Sequence, residues 1–203
     1  NEFQNLAKVN IGYTAGIETS KLAHQWILKC NEMDKIITIS SFSKSIFDST
    51  EYEAHNRDTG EKVLLRTQVP VEFVNYPTKS YEQLPDIDLS VSTSFNFLTV
   101  AQSGPRKNLQ NTIKWFIEEF RDEDVGLIVK SNIAKNCLMD RNRLYEQLRG
   151  LINQQGEKNC KVYLLHGDMT DEEMHSLYKH DRVDAFLALP HGEGFGLPIF
   201  EAA

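Results

Sequence analysis

The stretch "DAFLALPHGEGFGLPIFEAA", Asp184 to Ala203, decides the fold. An apolar run too short for a helix gives way to three glycines within five positions, Gly192, Gly194 and Gly196, and then to helix-forming residues. Pro198 suits the first helical position, because its missing N–H would have been unpaired there anyway. Strand, pinched turn and helix in succession are the unit of a parallel α/β sheet. The turn then lies at the carboxyl end of a strand, where such sheets bind ligands.

The same grammar repeats on the N-terminal side. "KVYLL" (Lys161–Leu165) reads as a strand, and Thr170 with Glu173 forms a capping box for a helix carrying Met174, Leu177 and Tyr178. "VGLIVK" (Val125–Lys130) precedes a helix starting near Asp140, with Leu144, Leu148 and Leu151 in register. "FNFLTVA" (Phe95–Ala101) precedes a helix whose Leu109, Ile113, Phe116, Ile117 and Phe120 share one face. Four βα units in a row predict a doubly wound, Rossmann-like domain over residues 94–203.

Residues 1–78 show the pattern less regularly. "VNIGYT", "KIITIS" and "VEFVNYP" read as strands, and "SKLAHQWILKC" as a helix burying Leu22, Trp26 and Cys30. "EYEAHNRDTGEK" reads as polar and turn-rich. This part is expected to be the end of an N-terminal Rossmann-like domain, with 79–93, which has no sustained period, as the linker. The chain begins at Asn1 and stops on apolar, helix-forming residues, so both ends are expected to be internal to a longer protein.

The formal charge of −7 argues against broad binding to nucleic acid or anionic lipid. No apolar run approaches the ~20 residues that span a bilayer, and "NEFQNLAKVN" has no basic segment followed by an apolar one, so neither membrane anchor nor signal peptide is expected here, and a cytoplasmic location is. Cys30, Cys137 and Cys160 have neither zinc nor redox spacing and read as buried thiols in a reducing compartment. Trp26 and Trp115 read as core.

Glycines at the turn allow close backbone approach, and the amides at the following helix start suit a phosphate, which makes a nucleotide or diphosphate the natural guest. The dinucleotide fingerprint is only loosely approximated, and Glu193 within the turn would oppose a pyrophosphate, so an oxidoreductase is disfavoured. Carboxylates accept hydrogen bonds from vicinal hydroxyls, which fits Glu193 to a sugar and Glu201 to a ribose.

"PHGEGFGLPIFEAA" resembles the signature of the GT-B glycosyltransferases of family 4 (glycosyl transferases group 1), two glutamates seven residues apart around a G-F-G-x-P turn. "VYLLHGDMTDEEMHSLYKHDRVDAFLALP", "FLTVAQSGPRKNLQNTI" and "IGYTAGIET" through "CNEMDKIITISSFSKSIF" are similar to further segments of that family in the same order. The resemblance implies the GT-B fold and a retaining transferase that needs neither metal nor cofactor and uses a nucleoside-diphosphate sugar. Its partners would be that donor and a glycan or glycoconjugate acceptor, with no nucleic acid and with any peripheral membrane contact made through regions outside this sequence. It implies that Glu201 holds the ribose, that Glu193 acts catalytically on the donor sugar, and that Gly194, Phe195, Gly196 and Leu197 meet sugar and phosphate. Arg106 and Lys107 would act catalytically at the diphosphate and Gly104 would help bind the donor, while Lys130, ending the next strand at the same edge of the sheet, could supply a second charge. In the compressed "SGPRKN" Arg106 and Lys107 are adjacent, so they need not both reach it.

Plain alternatives stand beside each reading: a tight turn for the glycines, solvated acids for Glu193 and Glu201, surface charges for Arg106, Lys107 and Lys130. Glu18 and His191 read as structural or solvated. The acidic triplets Asp86–Asp88 and Asp122–Asp124 mimic a metal-binding motif but lie in a linker and before a strand. A same-fold epimerase or phosphorylase, or a non-catalytic nucleotide-sugar binding module, is the alternative function, and the isolated chain is expected to have little transfer activity.

Overall fold

The computed structural model describes residues 4, 7–16, 19–55, 60–77 and 79–203, so Glu18 lies outside the described residues. By its contacts the chain divides into two units, residues 1–78 with 193–195 and residues 79–192 with 196–203.

The first unit runs β1 (Ile11–Tyr13), α1 (His24–Cys30), β2 (Lys35–Thr38), α2 (Ser41–Ser49), β3 (Glu51–His55), β4 (Lys62–Arg66) and β5 (Val71–Phe73). β2 is central, with β1 and β5 parallel on either side and Ile36 level with Gly12 and Val71. α2 starts where it does because the Ser40 hydroxyl accepts the Ser43 N–H at 3.0 Å. Leu22, Ile27, Ile36 and Phe47 close the core, and full burial of such a side chain is worth about 1.5–3 kcal/mol.

Four expectations for apolar and polar placement need correction, the fourth being Trp115, expected in the core and 48% exposed. The polar stretch beginning at Glu51 is not merely turn: β3 and β4 pair antiparallel, with Tyr52 opposite Leu65 and both packed on the core. Their outward positions carry charges, including Glu51 against Arg66 at 3.8 Å, which hides the strand pattern. Trp26 is 42% exposed, because Ile27 and Cys30 set the buried stripe of α1 and Trp26 falls on its flank. Cys137 is exposed, whereas Cys30 and Cys160 are buried, with burial pushing the Cys30 thiol up to about 11.

The second unit runs β6 (Phe95–Val100), a 3₁₀ turn (Pro105–Lys107), α3 (Leu109–Glu119), β7 (Val125–Lys130), α4 (Leu138–Asn153), β8 (Lys161–Leu165), α5 (Asp171–Tyr178), β9 (Ala185–Phe186) and α6 (Leu197–Ala202). The strand order is β8-β7-β6-β9, all parallel. Alternate residues of β7 face opposite layers: Leu127 and Val129 pack with α3 and α4, while Ile128 packs with Leu177 of α5. Both faces are therefore covered, which is why β7 reads as a continuous apolar run.

On α3 the buried stripe is Leu109, Ile113, Phe116 and Ile117, and Trp115, 48% exposed, points away from it. The Thr170–Glu173 capping box is formed, with reciprocal hydrogen bonds of 3.2 and 2.7 Å. β9 is shorter than the apolar run, although the Asp184 and Leu187 N–H groups still donate to Asn96 and Leu98 carbonyls. Residues 79–93 hold no helix or strand, yet Ile87, Leu89 and Val91 pack against Leu98, Ile128 and Leu177. No helix among the described residues is long and apolar enough to cross a membrane.

Candidate functional site

The strand order reverses at β6, which has β7 on one side and β9 on the other. Connections leaving neighbouring strands at such a point diverge and leave a crevice beyond the carboxyl ends. Here those connections are the loop after β6, which carries Gly104, Arg106 and Lys107, and the loop after β9, which carries the glycine turn.

The two loops are tied together. The His191 N–H donates to the Arg106 carbonyl at 2.9 Å, and the Arg106 guanidinium donates through Nη1 to the Gly192 carbonyl at 2.8 Å. Asn108 adds a third tie, its Nδ2 donating to the Leu189 carbonyl at 2.9 Å. To do so Asn108 sits in the left-handed region at φ 55°, which asparagine tolerates better than most residues. Arg106 thus holds the entrance of the glycine turn.

Val100, Lys130 and Leu165 are level with one another at the ends of three adjacent strands. A cleft of about 320 Å³ opens there, lined among others by Lys107, Lys130, Ser131, Gly167, Asp168 and Pro198. The structure therefore brings two of the candidate cations to one cleft with the start of α6. The Lys130 ammonium donates to the Gly167 carbonyl and makes no ion pair among the described residues. Burial lowers its pKa, while Asp168 and Glu173 act in the other direction. A partly desolvated cation satisfied by one neutral carbonyl is a strong partner for an incoming anion.

Gly196 precedes α6 at φ 75°, a conformation that favours glycine. Ile199 and Phe200 both donate to its carbonyl and Pro198 has no N–H, so the donors left without a protein partner among the described residues include the amides of Gly196 and Leu197. Glu201, one turn into the helix, accepts from the Tyr178 hydroxyl at 3.4 Å. Burial, and then the Glu201 charge, push the Tyr178 phenol above its ordinary range.

Glu193, Gly194 and Phe195 belong to the first unit, where Phe195 stands edge-on to Tyr76 at 4.8 Å and Glu193 is half-buried. Gly104 has extended backbone and open space where a side chain would be, so packing does not require glycine there. His191 is exposed, and its backbone, not its ring, ties the loops. Neither acidic triplet belongs to a group of three or more His, Cys, Asp or Glu placed to hold a metal ion among the described residues.

Sequence reasoning missed Asn108, Asp140 and His166. The Asp140 carboxylate, near the start of α4, accepts the N–H groups of Ile133, Ala134 and Lys135 at 2.9, 2.7 and 2.9 Å. His166, in the loop after β8, closes the network. Only an aspartate within the first helical turn was visible beforehand, and such a residue is ordinary.

No family model matches the chain, and no curated protein matches it. Among solved structures it is similar to an apo structure of OtsA, with 11% identity, a TM-score of 0.57 and coverage of 88% of this chain and 44% of that one. A trehalose-6-phosphate synthase OtsA gives 10% identity and 0.55, covering 96% and 50%. A third, from work on glycosyltransfer with retention using bisubstrate glycomimetics of trehalose-6-phosphate synthase, gives 11% and 0.51, covering 88% and 44%. This chain spans about half the length of these structures, and the likeness is one of fold: an α/β chain of GT-B type with Rossmann-like parallel sheets.

Proposed function

We propose that the chain belongs to a glycosyltransferase and holds the nucleoside-diphosphate sugar donor in its second unit. The observation that carries this is Lys130: a partly buried ammonium at a strand end, facing a cleft it shares with Lys107 and making no ion pair among the described residues. A diphosphate supplies the missing charge. When the bond from the anomeric carbon to the diphosphate breaks, the electron pair leaves with the diphosphate, and preorganised cations stabilise that charge without reorganising.

In this reading Lys130 and Lys107 meet the diphosphate, assisted by the amides of Gly196 and Leu197. Arg106 acts on the turn through its bond to the Gly192 carbonyl, and Gly104 joins the donor site by the motif resemblance alone. Glu201 takes the ribose hydroxyls. Glu193, Gly194 and Phe195, which belong to the first unit, are given to the donor sugar by the motif resemblance alone. Retention of configuration, independence from metal and cofactor, a glycan or glycoconjugate acceptor and a cytoplasmic location are parts of the same proposal, supported by the motif resemblance and by the fold likeness.

A second reading is favoured by one fact, that the chain spans about half the length of its structural neighbours. On that reading the 203 residues alone bind nucleotide sugar without transferring it. Calorimetric titration with uridine and guanosine diphosphates and their sugars tests the donor site. Binding of one series is expected, weakened roughly tenfold or more in Lys130→Ala, as the loss of a charge-assisted bond implies, and also weakened in Glu201→Ala. A preference for nicotinamide dinucleotides would overturn the proposal.

A further inference from the structure

Residues 133–137 of the loop after β7 and the first turn of α4 form a feature that the donor cleft does not use. Leu138 and Met139 are 75% and 82% exposed, adjacent, and on the outer side of the helix start, while Leu144 and Leu148 take its buried face. Isolated surface apolar residues are ordinary, but two neighbours this exposed form an apolar tip at the helix start. Around them stand Lys135, Arg141 and Arg143, all exposed and without an ion pair among the described residues. The only acid between Asn132 and Tyr145 is Asp140, and it is buried, its charge taken up by three backbone N–H groups and His166.

We infer that this tip docks on an anionic lipid bilayer. In a chain of net charge −7, a stretch whose three cations make no ion pair among the described residues and whose one acid is buried is locally of the opposite sign, so it attracts a negative surface where the chain as a whole does not. The exposed apolar pair decides between anionic partners. A protruding apolar pair needs a medium that yields around it, which the acyl boundary of a bilayer does, while flanking Lys and Arg side chains reach lipid phosphates. The Asp140 clamp holds residues 133–135 in place, so the tip is presented with little ordering left to do on contact. Two apolar side chains and three cations are a weak anchor, so the association is reversible and salt-sensitive.

The test is co-sedimentation of the full chain with phosphatidylcholine vesicles, with and without about a third phosphatidylglycerol, at low and high salt. The chain is expected to sediment with the anionic vesicles at low salt only. Leu138→Ser/Met139→Ser and Lys135→Gln/Arg141→Gln/Arg143→Gln should each lower the bound fraction about fivefold or more, with melting temperatures unchanged because every altered side chain is exposed. Absence of wild-type binding overturns the inference. So does binding that survives in both variants, or a dimer that the apolar variant dissolves, which would make the tip a contact between copies. The outcome does not depend on the donor-site proposal.

Discussion

His166 Nε2 lies 2.9 Å from Asp140 Oδ1, and the two side chains are 4% and 7% exposed. The pair joins the loop after β8 to the start of α4, while the same carboxylate gathers three amides of the loop after β7. A buried carboxylate is tolerated when its lone pairs are filled, and this one is.

Asp140→Asn should therefore lower the melting temperature at neutral pH and weaken its dependence on acid. The Ile133 N–H, followed by His166 and the Lys135 and Ala134 N–H groups, holds the Asp140 carboxyl well below the usual carboxylate range, against the opposing effect of burial. Its folded value is thus lower than its unfolded value of about 3.9, so its contribution is complete above that pH and disappears as pH falls through the folded value. Melting curves at neutral pH and at steps below about pH 4 should show wild type losing more stability than the variant. Parallel curves would rule the clamp out.

The contrast between clamp and strands shows what a sequence discloses. β7 is readable because both its faces are buried, so Val125 to Val129 are apolar without a break and Lys130 marks the end. The capping box is readable because its two partners are three residues apart. Asp140 and His166 are 26 residues apart, and nothing local to either announces the other. The β3–β4 hairpin escapes because its inward side is reduced to a few residues such as Tyr52 and Leu65. At the site, the positions of Lys107 in the loop after β6 and of Lys130 at the end of β7 follow from the βα rhythm. The left-handed turn of Asn108, and the use of Arg106 to hold a carbonyl, depend on how two distant loops meet.

α1 supplies a direct test of that lesson. Trp26 is the larger side chain, but it lines a cleft of about 590 Å³ and is 42% exposed, whereas its neighbour Ile27 is fully buried. Ile27→Ala should cost about 2–5 kcal/mol through lost transfer energy and a residual cavity. Trp26→Ala should cost about 1 kcal/mol, as for a side chain only partly buried. Denaturant unfolding of both variants checks the order, and a costlier Trp26→Ala would place the core stripe of α1 on the wrong face.

Tyr178 and Glu201 give the last prediction, which separates a ribose-binding acid from a helix acid in solvent. Tyr178 lies in a row of rings, edge-on to His175 at 6.3 Å and to Phe186 at 6.0 Å, so its hydroxyl is fixed where Glu201 can accept it. If Glu201 holds the ribose, this hydrogen bond sets the direction of its carboxylate and leaves the second oxygen to the ligand. Tyr178→Phe should then weaken nucleoside diphosphate binding by about 0.5–1 kcal/mol, two- to fivefold, the net worth of one hydrogen bond. Because the phenol acts only through Glu201, Tyr178→Phe/Glu201→Gln should bind no more weakly than Glu201→Gln alone. The hydroxyl titrates above its ordinary range, so the Tyr178→Phe effect should be constant from neutral to mildly alkaline pH. Additive losses in the double variant would mean that Tyr178 supports the helix packing and not the acid.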